Sequence, residues 1–136
     1  MNYYSKKDPK ILLFVINRFE DISSYRNDIA PEEEYIQVSA RKIPKGLKIK
    51  EHKHLINKRT IDYTQEAWVI LEGSILAKFY DIDDTLIFDT IINKGDCAIL
   101  FRGGHSLEAL SEKTILYEFK NGPYMGINYD KEDIND

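Results

Sequence analysis

Short apolar or alternating runs, separated by turn residues, recur along the whole chain and constrain its fold more than any other feature. The runs are six to nine residues long, which is typical of strands and short for helices. They predict nine strands, at residues 11–19, 35–43, 47–52, 67–73, 74–81, 85–92, 96–101, 105–110 and 114–120. Nine short strands at close intervals indicate an all-β sandwich or barrel.

The segments between these runs have the residues that tight turns require. Gly73, Gly95 and the pair Gly103–Gly104 each lie between two candidate strands, where glycine adopts a positive φ at little cost. The aspartates of "DIDD" at 81–84 can hydrogen-bond their own backbone. Helix is expected only as a single turn at "PEEE", residues 31–34, because proline suits the first helical position.

Composition limits the class of protein. A chain of 136 residues fits one domain, here predicted to span residues 1–136. A net charge of −4 without a basic stripe argues against a nucleic-acid partner. The longest early apolar run, residues 11–16, is too short for a signal core or a membrane span. We therefore expect no membrane partner and a cytoplasmic location.

The single cysteine, Cys97, excludes a disulfide within the chain and is consistent with a reducing compartment. It lies in the apolar run "GDCAILF" with no histidine beside it in sequence. A buried, unreactive thiol is the better interpretation, and a nucleophile the weaker one.

The three histidines of the chain suggest a site. His52 and His54 are two residues apart at the end of a predicted strand, so both would point to the same face. Together with Glu66 and His105 they form a mixed nitrogen and oxygen set that suits one divalent transition metal: Fe, Mn, Ni, Zn or Cu. Two alternatives stay open: His52 and His54 as exposed residues of a lysine-rich loop, and Glu66 as a surface carboxylate.

The spacing of these residues resembles the first motif of the cupin family. Gly46 precedes His52 by five intervening residues, and Glu66 precedes Gly73 by six. Between His54 and Glu66 lie eleven residues, where the simplest form of the motif has three or four. The difference implies a longer loop across the mouth of the site.

A second stretch resembles the other cupin motif. Gly95, Gly103 and His105 match its two glycines and its histidine. Two departures loosen the match: Phe101 stands where the motif usually has proline, and one residue is missing between glycine and histidine. The ending "LYEFKNGPYMG" also resembles small single-domain cupin metalloproteins of surface-polysaccharide and sugar biosynthesis clusters.

The resemblance implies a fold and a function. The fold would be a double-stranded β-helix, or jelly roll, with its core at about 36–120, an N-terminal extension at 1–35 and a polar tail at 125–136. The function would be metal-dependent isomerase, epimerase or oxygenase chemistry on a small sugar-derived or other polar metabolite, sugar nucleotides included, in polysaccharide biosynthesis. The alternative is a non-catalytic module that binds a small molecule.

Five further residues are candidates for work on a ligand. Glu118, Lys120 and Tyr124 are the candidate catalytic residues, with an exposed strand face as the competing interpretation for the first two and packing for Tyr124. Arg59 and Gln65 are candidates for substrate binding, although a solvated cation is the commoner fate of a loop arginine.

The first long predicted strand, residues 11–19, needs a pairing partner. Sheets with such a strand often dimerise, and a two-fold dimer is the commonest assembly. We therefore expect a homodimer.

Overall fold

The computed structural model describes residues 1–134 and is almost entirely β. Residues 135 and 136 of the predicted polar tail lie outside the described residues. The strands are β1 (Asn2–Tyr4), β2 (Leu12–Asn17), β3 (Asn27–Asp28), β4 (Ser39–Ala40), β5 (Glu66–Glu72), β6 (Ser74–Tyr80), β7 (Leu86–Asn93), β8 (Cys97–Leu100), β9 (His105–Ala109) and β10 (Ile115–Lys120). A short 3-10 helix spans Phe19–Asp21 and a single-turn α-helix, α1, spans Ile127–Asp130.

Two antiparallel sheets enclose the main core. The larger sheet has the strand order β1-β2-β8-β5-β10, and the smaller has the order β7-β6-β9. Between them pack the buried side chains of both sheets, including Phe14, Trp68, Ile70, Phe79 and Ile92. This arrangement is compatible with a β-sandwich, and the jelly-roll connectivity of cupins stays a prediction.

The outer face of the larger sheet is also covered. Leu12, Val15 and Ile99 form a second buried cluster with Ala30 and the segment that follows it. Every residue of β2 is consequently buried. Burial on both faces explains why β2 and β8 read as continuous apolar runs rather than alternating ones.

Seven of the nine predicted strands are confirmed, and two predictions are wrong. Residues 35–43 form only the two-residue strand β4, because Ile36 donates its backbone N–H to the Gln65 side chain instead of to a strand. Residues 47–52 form no strand. Their alternation cannot bury an apolar face here, since Leu47 and Ile49 are exposed.

The turn predictions hold at three glycines and at Asp81, but residues 31–34 form a hydrogen-bonded turn, with Glu34 N–H donating to Pro31 O at 3.1 Å, and not the expected helical turn. Gly73, Gly95 and Gly103 all have φ between +74° and +88°. Asp81 accepts a hydrogen bond from the backbone of Ile82 at 2.8 Å, as its position in the turn predicts. No helix among residues 1–134 is long and apolar enough to cross a membrane.

The N-terminal segment is an integral part of the larger sheet. β2 pairs with β8 over its last four residues, from Phe14 opposite Leu100 to Asn17 opposite Cys97. The strand predicted at 11–19 therefore finds its pairing partner within the chain. It does not need a second chain for this, and the homodimer stays a prediction.

Candidate functional site

A cavity of about 900 Å³ opens beside strands β5, β9 and β10. Four ionisable side chains on its wall come from these strands: Glu66, His105, Glu118 and Lys120. The antiparallel register explains the convergence, since Lys120 lies opposite Glu66 and Glu118 lies opposite Trp68. Residues directly opposite in such a pair share a face of the sheet.

Glu66 is the centre of the cluster and is only 7% exposed. The indole N–H of Trp68 donates a hydrogen bond to its Oε1 atom. Lys120 Nζ lies 3.3 Å from its Oε2 atom, and His105 Nε2 lies 3.6 Å from Oε1. Buried carboxylates need such partners, because an unpaired charge in the interior is costly.

Lys120 is held by three carboxylates. Its Nζ atom lies 3.3 Å from Glu66, 3.3 Å from Glu118 and 3.6 Å from Asp130. Asp130 comes from α1 and also accepts a hydrogen bond from the Thr64 hydroxyl. Asp130 could not be predicted from the sequence, because it lies in a polar stretch that is typical of a tail.

The pKa values of the two glutamates of the cluster are shifted in opposite directions. Burial and the neighbouring Glu118 carboxyl raise the pKa of Glu66, against the hydrogen bond from Trp68. Burial opposes ionisation of Glu118, but its contacts with Glu66 and Lys120 outweigh that effect and lower its pKa. Paired carboxyls with divergent pKa values are a recurrent basis for acid and base roles.

The imidazole of His105 packs edge-on against the Trp68 ring, with 5.2 Å between ring centroids. Burial, followed by the charge of Lys120, lowers the pKa of His105 to about 4. The side chain keeps 31% of its surface exposed, and it lines the cavity. At neutral pH this site therefore presents an uncharged imidazole to a bound molecule.

The remaining histidines lie elsewhere. His52 and His54 are exposed, in the irregular segment 41–64, with 5.6 Å between their ring centroids. Neither lines the cavity. The structure thus brings together Glu66 and His105 from the predicted metal set and leaves His52 and His54 apart.

The predicted metal residues, as placed, do not fit a metal ion. Within residues 1–134, no three His, Cys, Asp or Glu side chains lie together in an arrangement that could hold a metal ion. The ring nitrogen and carboxylate of His105 and Glu66 supply two suitable donors. As placed, the four residues do not form one donor set.

The other candidate residues, Arg59, Gln65 and Tyr124, all lie outside this cavity. Arg59 is exposed in the segment 41–64. Gln65 is fully buried and points away, donating to Glu34 and accepting from Ile36. Tyr124 is 72% exposed and lines a second, smaller cavity.

The hydrogen-bond network around Gln65 was not predicted from the sequence. Arg102 makes two hydrogen bonds to the Glu34 carboxylate, at 2.8 and 3.0 Å. Glu34 in turn accepts from Gln65, which precedes Glu66 in the chain. This buried network fixes the start of β5 and thereby the position of Glu66.

Cys97 takes no part in the cavity. Burial, assisted by the neighbouring Asp96 charge, raises the pKa of its thiol to about 11. This agrees with the unreactive thiol inferred from the sequence.

No protein-family model, curated protein or solved structure matches this chain.

Proposed function

We propose that the cavity binds a small hydroxylated carbonyl compound, such as a reducing sugar, and catalyses proton transfer on it as an isomerase or epimerase. The observation that carries the proposal is the convergence of Glu66, His105, Glu118 and Lys120 on one cavity wall. His105 and Lys120 each lie within about 4 Å of Glu66, and Lys120 also lies within about 4 Å of Glu118; an acid, a base and a cation placed so close together are the parts that such chemistry needs.

The chemical step divides among these residues. A neutral His105 or an ionised carboxylate removes the proton from the carbon next to the carbonyl of the substrate, leaving an enediolate. The ammonium group of Lys120 stabilises the negative charge that develops on the carbonyl oxygen. Return of the proton to the former carbonyl carbon, with the hydroxyl proton of the adjacent carbon passing to the first oxygen, gives the isomer. Return of the proton to the opposite face of the carbon that lost it gives the epimer.

The charge states support these roles. Burial opposes the charged form of Lys120, but the carboxylates of Glu66 and Glu118 outweigh it and raise its pKa. Lys120 is therefore a permanent cation at neutral pH. Because the pKa of Glu66 is raised, it lies closer to neutral pH, where a carboxyl group gives up and takes back a proton most efficiently.

Deuterium exchange tests the proposal. Reducing sugars (glucose, galactose, mannose, rhamnose and fructose) are incubated with the protein in D₂O, and loss of the proton next to the carbonyl is followed by NMR. We expect exchange for at least one sugar, and Glu66→Gln to slow it about a hundredfold or more.

Glu108→Gln is the matched control, because Glu108 lies exposed on β9 and does not line the cavity. It should exchange at the rate of the unchanged protein. Absence of both binding and exchange across the sugars would refute the proposal.

A non-catalytic binding module is the second candidate. The observation in its favour is that Lys120 already has three carboxylate partners, so the cluster is stable as a purely structural feature. Binding of a sugar detected by a thermal shift, without any exchange in D₂O, would support this function instead.

A further inference from the structure

A second cavity adjoins the first across a shared wall. Its volume is about 450 Å³, and the residues common to both cavities are Glu118, Lys120, Asp130 and Lys131. Its own part of the lining comes from the loop after β10, including Pro123 and Tyr124, and from Ile127 of α1. Both volumes fall within the range of ligand pockets, about 300–1,000 Å³.

The two cavities differ in what they offer a ligand. The first holds the ionisable cluster. The second adds an exposed aromatic ring, Tyr124, beside the apolar Pro123 and Ile127. An aromatic or apolar surface with a few polar groups at its edge suits one face of a ring-shaped ligand, whose hydroxyls reach the polar groups.

Charge narrows the ligand class. The first cavity is lined by six acidic and four basic residues. Lys120, on the wall between the cavities, keeps its charge but lies beside three carboxylates, so this wall has no net positive charge. The second cavity has two acidic residues, Glu118 and Asp130, and two basic ones, Lys120 and Lys131. Neither cavity has an excess of positive charge for a phosphate or a nucleotide.

We infer that the second cavity is a subsite for a second ring, so that the protein acts on an uncharged two-ring sugar whose reducing end occupies the first cavity. This inference rests on the proposed function and makes it more specific. The Lys120–Asp130 ion pair lies between the two rings, where its donors and acceptors can bind hydroxyls of both. Tyr124 contacts the ring at the non-reducing end.

Binding measurements on matched ligands test the subsite. The sugars that bind in the exchange experiment are compared, by calorimetry, with disaccharides carrying the same sugar at the reducing end. We expect the disaccharide to bind at least tenfold more tightly than the single sugar. Tyr124→Ala should remove this advantage and leave affinity for the single sugar within twofold.

Two controls keep the result specific. Tyr129→Ala should change neither affinity, because Tyr129 is exposed on α1 and lines neither cavity. Glucose 1-phosphate and UDP-glucose should bind more weakly than the uncharged disaccharide, and tighter binding of either would overturn the charge argument.

The outcomes separate this inference from the function it rests on. If no single sugar binds, the proposed function fails. If a single sugar binds and its disaccharide binds no better, or if Tyr124→Ala weakens both equally, the subsite alone is refuted.

Discussion

Individual residues in this fold are constrained by backbone conformation and by space, and two glycines separate these effects. Gly46 and Gly103 have similar positive φ values, +84° and +74°. A Cβ atom at Gly103 would lie 2.2 Å from the backbone oxygen of Tyr80, whereas at Gly46 nothing lies within 4 Å. The pair therefore shows what a close approach costs beyond the φ value alone.

We expect Gly46→Ala to lower the free energy of unfolding by about 1 kcal/mol, the lower end of the cost of a left-handed residue. Gly103→Ala should lower it by at least about 1 kcal/mol more, because the Tyr80 carbonyl is fixed in the sheet and cannot yield freely. Urea denaturation of both variants measures the difference. Equal losses would mean that the turn before β9 relaxes readily.

At the scale of elements, the sequence predicts the strands that find a partner and fails for those that do not. β5 to β10 lie close to their predicted ranges, because each pairs in register with at least one neighbouring strand. Residues 47–52 have the same alternation but no partner strand in the described part of the chain. An alternating sequence shows a preference for strand, and the strand forms only where the tertiary structure supplies a partner strand.

The candidate site also has one part that the sequence predicts and another that it does not. The positions of Glu66, Glu118 and Lys120 follow from strand register, so their side of the cavity could be predicted. Asp130 and the second cavity could not, because they depend on how the chain returns after β10. Sequence pattern is uninformative about such a return when the segment is short and polar.

The segment 41–64 holds the metal prediction, which can be tested separately from the catalytic one. The sequence predicts a transition metal in near-stoichiometric amount, whereas the residues as placed do not form one donor set; elemental analysis of purified protein decides between the two. His52→Ala with His54→Ala should abolish the metal content, and His105→Ala should reduce it, because a metal bound by both pairs requires this segment to close over the cavity.

Limited trypsin digestion gives an independent measure of that closure. The segment contains many lysines and arginines, and added metal should slow its cleavage in the unchanged protein but not in the double variant. Lys53→Ala, between the two histidines, is the matched control and should retain the metal. Metal content that is the same in the double variant would refute the assignment of His52 and His54.

At the scale of the whole molecule, the homodimer remains a prediction, now with a different candidate surface. β10 is an edge strand of the larger sheet, and Tyr117 and Phe119 are exposed on it. Exposed edges with large apolar side chains favour pairing with another chain. We expect light scattering at micromolar concentration to give twice the mass of the chain.

Tyr117→Lys should shift that mass toward the monomer if β10 forms the interface, since the new charge would be buried without a partner. Ile91→Lys, a similarly exposed position on β7, is the control. A monomer mass for the unchanged protein would count against the dimer altogether.

The coverage of β2 from both sides has a consequence for how the chain tolerates sequence change. In a strand with one solvent-exposed face, every second position accepts polar residues. Leu12–Ile16 have no solvent-exposed position, because each side chain enters either the core between the sheets or the buried cluster on the outer face of the larger sheet. In a saturating substitution scan through these five positions, polar residues should destabilise the fold severely at every position, with no alternation between tolerant and intolerant positions.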